Sequence, residues 1–150
     1  MLSSLSFLLA AVLSGQDTTC TYDRCALRIQ YRASGVRLVQ GANAVSLAKI
    51  GFYPPRINLL ALADDSTRVH YEAFREHHTR SATFGLVSFA TLAAATALQY
   101  GWDTDAAQGT AIGLLVASFG FSLGASSQGR KSRDELSRTI WFYNRRFADR

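Results

Sequence analysis

Lysine, arginine, aspartate, glutamate and histidine are all missing from Ser81 to Trp102, and again from Ala106 to Gly129. These are runs of 22 and 24 residues. A hydrocarbon core about 30 Å thick is crossed by roughly 20 apolar helical residues, so each run is long enough to span a bilayer. The same absence excludes functions. Ion and proton pathways through a membrane depend on ionisable side chains facing the bundle interior. A pump, a coupled transporter and a haem held by intramembrane histidine are therefore not expected.

Proline is nearly absent, and both copies stand together as Pro54-Pro55. The only cysteines are Cys20 and Cys25. Two thiols cannot complete a four-ligand zinc site. Four intervening residues do not make a redox C-x-x-C, and no haem-attachment histidine follows. No G-x-S-x-G elbow, Walker loop, Rossmann fingerprint or H-E-x-x-H pair occurs. No catalytic, cofactor or metal residue is assigned, and the chain reads as non-enzymatic. At 150 residues there is room for one small domain beside the two runs.

What is present is arranged around those runs. The residues between them, Gly101-Trp102-Asp103-Thr104-Asp105, combine turn chemistry with two acids and belong in water. The expected fold is mainly α: a two-span transmembrane helical hairpin over 81–129. A small extramembrane region with a β-hairpin (16–64) and a pre-membrane helix (65–80) precede it. An amphipathic C-terminal helix (130–150) follows it. Net charge is +5, with nine basic residues from Arg24 to Arg80 and seven from Arg130 to Arg150. Basic flanks beside apolar spans suit anionic lipid headgroups, so nucleic acid is not an expected partner.

Residues 1–15 resemble a secretory signal, with an apolar run from Leu5 to Leu13 and small residues before a cut after Ser14. No basic residue precedes the run, and an uncleaved apolar helix is the alternative. In the extramembrane region, Leu27, Ile29 and Tyr31 alternate with Arg28, Gln30 and Arg32. That is the period of a half-buried strand. Val36 and Leu38 continue the pattern after Ala33-Ser34-Gly35, a hairpin loop. Asn43 to Ile50 is expected to form one or two helical turns ended by Gly51, because Val45, Leu47, Ala48 and Ile50 fit helical spacing. Pro54-Pro55 then breaks the chain. Asp64-Asp65-Ser66 offers N-cap chemistry for a helix running without a breaker to Gly101.

Four groups of residues are singled out. Cys20 and Cys25 form a structural disulfide if the region lies in an oxidising compartment. Gly109, Gly113, Ala117, Gly120 and Gly124 give the second span a face of small residues, where another helix backbone can approach closely. Ala90, Ala93, Ala94 and Ala97 do the same for the first span. The simplest partner for each face is the other helix, and a homo-oligomer is the sharper alternative. In the tail, Ser132 and Glu135 fit a capping box that starts a third helix. Its stripe of Leu136, Ile140, Tyr143 and Phe147, widened by Trp141 and Phe142 and flanked by Arg145 and Arg146, must meet lipid, the N-terminal region or a partner protein, with docking on lipid or a partner favoured. Finally, His70, His77 and His78 with Glu72 and Glu76 read as a solvated, titratable helix face rather than a metal site.

Orientation carries a conflict. A cleaved signal places both flanks outside the cytoplasm, whereas the basic flanks favour the cytoplasmic side. The signal is given precedence, which makes the protein integral to a membrane, taken as a bacterial inner membrane, with extracytoplasmic flanks. The function expected from this is an accessory or scaffolding subunit of a larger membrane complex. Its partners are other membrane protein subunits and the lipid bilayer. A second reading is a self-associating channel-forming or membrane-remodelling protein that uses the glycine faces. A weaker third is a redox or metal-binding membrane protein.

Overall fold

A computed structural model describes residues 21–55, 57, 64–102 and 104–148. The signal segment, Cys20, most of the apolar run before Asp64, and Asp103 in the bend lie outside the described residues. The chain is mostly helical, with a small antiparallel sheet and two long apolar helices.

A single turn, α1 (Tyr22–Cys25), leads into β1 (Leu27–Arg32). β2 (Gly35–Gln40) returns beside it with Leu27 opposite Gln40 and Arg32 opposite Gly35. The β-hairpin therefore forms where the alternating pattern placed it, with Gly35 at a φ of +115° closing the loop. At the far end of β2, Gly41 takes a φ of +69°. A Cβ there would sit 2.5 Å from the Arg24 carbonyl oxygen, so only glycine lets this turn lie against α1. The Gly41 amide donates to the Ala26 carbonyl at 2.9 Å.

The segment expected to be helical after this turn is instead a third strand, β3 (Val45–Ile50), antiparallel to β2. The register explains the misreading. Leu38 faces Ala48 but Val39 faces Ser46, so Leu47 is an extra residue on β3. One inserted residue breaks strict alternation. It leaves the apolar positions at spacings that mimic a helical turn. Pairing with β2 decides the outcome, because a short isolated helix is marginal in water.

Asp64 caps α2 (Asp65–Gly101), accepting from the Thr67 amide at 3.2 Å. Near Trp102 the chain turns, and the Thr104 hydroxyl accepts from the Ala107 amide at 3.2 Å to start α3 (Asp105–Ala148). α3 corrects the expectation of a separate tail helix. It continues unbroken through Gly129 and Ser132, and no capping box forms at Ser132, which is buried in mid-helix. A capping box serves amides freed by a helix start, and at Ser132 the upstream turn already occupies them.

α2 and α3 lie antiparallel along a seam that recurs every seven residues, the spacing that keeps one helical stripe on its partner. On α2 the seam uses Thr67, Phe74, Ser81, Ser88 and Ala95; on α3 it uses Ala111, Ser118, Ala125, Ser132 and Thr139. In the apolar part every one of these residues is alanine or serine, so the backbones approach closely. The serines satisfy themselves across the gap. Ser88 Oγ donates to the Ser118 carbonyl at 2.9 Å, and Ser118 Oγ donates to the Ser88 carbonyl at 3.0 Å. One seam repeat away, Ser81 Oγ donates to the Ala125 carbonyl at 2.8 Å. The outer sides carry exposed Leu86, Phe89, Leu92, Ile112, Val116, Phe119 and Leu123. Length and composition allow both helices to cross a membrane.

Candidate functional site

The polar ends of the two helices form a head with the sheet. Its core sits where the inner sheet face meets α2 and α3. Leu27 and Leu38 pack on Tyr143, and Tyr71, Phe74 and Leu136 meet Ile29 and Ile50. Burying each of these large side chains contributes about 1.5–3 kcal/mol. Ile57 and Ile140 bridge the two clusters. The Tyr71 hydroxyl donates to the Pro55 carbonyl at 2.5 Å and accepts from the Ile57 amide at 3.2 Å. It fastens the segment after the tandem prolines to α2, and burial raises its pKa above the ordinary tyrosine value.

Of the three surfaces open to the tail stripe, the N-terminal region is the one it packs on within the chain. Leu136 and Tyr143 are buried within the chain itself, and Ile140 and Phe147 pack beside them. The sheet and α2 supply the apolar surface the stripe needs. The alternating pattern of β1 and β2 signalled it: a two-stranded hairpin requires something to cover its apolar face. Asn144 adds a contact that side-chain typing alone did not identify. Its Oδ1 accepts from the Leu27 amide at 2.7 Å and its Nδ2 donates to the Leu27 carbonyl at 2.8 Å. The side-chain amide thus acts as one more strand residue on the edge of β1. Of the remaining tail residues, Trp141 is exposed with the Arg145 guanidinium 5.6 Å from its ring centroid. Arg146 stacks over Tyr143 at 4.5 Å.

The histidines do not form a solvated face. His70 Nδ1 lies 2.6 Å from Glu135 Oε2, and the ring stacks on Phe142. His77 Nδ1 lies 2.7 Å from Gln128 Oε1. His78 Nε2 donates to the Gly51 carbonyl at 2.9 Å, joining the end of β3 to α2. Each is half-buried between elements. A helical wheel of α2 alone has no means of showing this, because the partners come from α3 and the sheet. Among the described residues, no three His, Cys, Asp or Glu side chains gather as metal ligands would.

The small-residue face lies apart from the seam. Gly109, Gly113 and Gly120 are exposed, and a Cβ on any of them would meet nothing within 4 Å. Ala117 is half-buried, and a Cβ on Gly124 would lie 3.4 Å from the Phe84 ring of α2. Ala90, Ala93, Ala94 and Ala97 are exposed as well. Within the hairpin the packed stripe is therefore the alanine–serine row, and Gly109, Gly113 and Gly120 turn outward. Cys25 is buried at the end of α1, and its expected partner Cys20 lies outside the described residues.

Where the head meets the apolar helices, three open hollows adjoin. One, of about 340 Å³, lies between the sheet and the helix pair and is lined by Ile29, Val36, Ile50, His78, Leu136 and Arg133. A second, of about 360 Å³, runs along α2 past Ser81, Ala82 and Gly85 to Ala125. A third, of about 430 Å³, lies between Ser81 and Ser126 with Arg130 and Arg133 at its edge. Ser81 lines all three. No protein-family model, no curated protein and no solved structure matches this chain.

Proposed function

We propose that the chain is an integral membrane protein that serves as a non-enzymatic accessory or scaffolding subunit of a larger membrane complex. The observation that carries this reading is the outward glycine row. The hairpin satisfies its own seam with alanine and serine, yet Gly109, Gly113 and Gly120 present a second close-packing surface that no described residue covers. Small residues at this spacing admit another helix backbone. The partners are then other membrane subunits. The head, whose apolar stripe is spent internally, holds the hairpin in shape at the surface. The inner membrane of a bacterium with both flanks extracytoplasmic is the setting that suits a cleaved signal. In that setting Cys20 and Cys25 pair, and intact non-reduced protein weighs two hydrogens less than the reduced form; alkylation of both thiols in freshly purified protein would refute the pairing.

The same glycine face suits a second copy of this chain, which is the self-associating alternative. Native mass measurement in mild detergent separates the two. Co-purifying subunits that are lost on Gly113→Leu and Gly120→Leu support the accessory reading. A homo-oligomer lost on the same changes supports self-association. A monomer that neither change affects refutes both.

A further inference from the structure

We infer that the junction of head and hairpin holds one anionic phospholipid, with its phosphate on Arg130 and Arg133 and an acyl chain in the groove past Ser81 and Gly85. This rests on the membrane reading above. Ser81 and Gly129 are the first and last residues of the stretch that holds the two uncharged runs. They therefore mark the level where hydrocarbon gives way to headgroups. At that level the surface is concave rather than convex, because the sheet overhangs the helix pair and seam residues are small. Ser81, Ala82, Gly85 and Ala125 floor one hollow, and a Cβ on Gly85 would meet nothing within 4 Å. Open space against small apolar residues, on the lipid side of the junction, fits a hydrocarbon chain.

The charge fits the other end of the same molecule. Arg130 and Arg133 edge the adjoining hollow, together with the Ser81 and Ser126 side chains. Of the carboxylates nearest in sequence, Glu135 pairs with His70 and Arg138, and Asp134 is exposed without an ion pair among the described residues. Arg133 Nε donates only to the Gly129 carbonyl, at 3.3 Å. No carboxylate pairs with either arginine among the described ion pairs. A phosphate diester accepts from guanidinium in the geometry arginine favours. A neutral lipid or a bare acyl chain would leave both guanidinium groups without a counter-charge.

The test uses the full chain in mild detergent micelles doped with equimolar phosphatidylglycerol and phosphatidylcholine of identical chains, read by native mass spectrometry. Two arginines near a headgroup predict a preference for the anionic lipid of roughly tenfold or more. Arg130→Gln with Arg133→Gln should abolish the preference, Arg145→Gln should leave it, and Gly85→Leu should lower retention of both lipids by filling the groove. Equal retention of the two lipids by the unaltered chain would overturn the inference. So would a preference reduced as much by Arg145→Gln as by the paired change, or retention indifferent to Gly85→Leu. Alkaline extraction of membranes keeps the two failures apart. Protein released from the pellet refutes the membrane reading, whereas protein that stays in the pellet but shows no lipid preference refutes the site alone.

Discussion

Removing the Asn144 amide should loosen the head more than its polarity suggests. Asn144 bonds both the amide and the carbonyl of Leu27, across 117 residues of sequence. Those two backbone groups lie on the edge of β1 away from β2, so truncation leaves both without their partner. A buried polar group stranded in this way costs about 1–3 kcal/mol. The bonds are part-buried, and the loss expected for Asn144→Ala is roughly 2 kcal/mol. For a domain of this size that lowers Tm by roughly 4–8 °C. Asn144→Asp keeps an acceptor for the Leu27 amide but sets a carboxylate against its carbonyl, so it should be no better than alanine. Trp141→Ala is the comparison. Trp141 is exposed and its ring contacts, with Phe142 and Arg145, lie at the surface, so its loss should stay below about 1 kcal/mol. The assay is thermal unfolding in detergent, paired with hydrogen exchange of the peptide that contains Leu27. If Asn144→Ala matched Trp141→Ala in both, the tail would not pin the sheet and the head would be wrongly assembled.

Further consequences follow from the seam, the turn and the cap. Ser118→Leu adds bulk where two backbones meet and removes one of two reciprocal bonds, so it should destabilise the hairpin by about 1–3 kcal/mol; the exposed Leu115→Ala should fall within about 0.5 kcal/mol, and equal thermal shifts for the two would refute the register. Gly41→Ala places a Cβ 2.5 Å from the Arg24 carbonyl and should reduce the yield of folded protein, while Gly51→Ala, which meets nothing within 4 Å, should not. The Thr67 side chain holds the Asp64 carboxyl below the ordinary carboxylate pKa, with the Thr67 amide assisting. A group whose pKa is lowered by folding stabilises the fold above its unfolded value. The contribution should therefore be complete at neutral pH and lost as pH falls below about 4. Asp64→Ala should flatten that part of the stability profile, measured by denaturant unfolding between neutrality and acid.

The sequence made the outlines legible because long-period signals survive without tertiary context. Two runs free of charge imply two long apolar helices, and strict alternation from Leu27 to Tyr31 implies the β-hairpin. Asp64 reads as a cap because its chemistry is local. Three features stayed hidden for the converse reason. The bulge at Leu47 broke the alternation of β3, and only pairing with β2 restores it. The seam recurs at Ala111, Ser118, Ala125, Ser132 and Thr139, all small or polar, whereas the glycine row at Gly109 and Gly113 carried the more familiar spacing. Which of two small-residue stripes faces the partner depends on the rotation of the whole helix, and no single stripe encodes it. The tail stripe was visible, but its partner lies more than 100 residues away in Leu27 and Leu38. Separation in sequence also concealed the pairing of His70 with Glu135, 65 residues apart, and of Asn144 with Leu27, 117 apart.

The claim on which everything else depends is that α2 and α3 cross a membrane and return. Single cysteines at Thr104, in the bend, and at Ser137, exposed on the head, can be probed in sealed vesicles with a membrane-impermeant maleimide and assigned by peptide mass. Opposite outcomes are expected: one site labels in intact vesicles, and the other only after the membrane is opened. Labelling of both sites from the same side would contradict it.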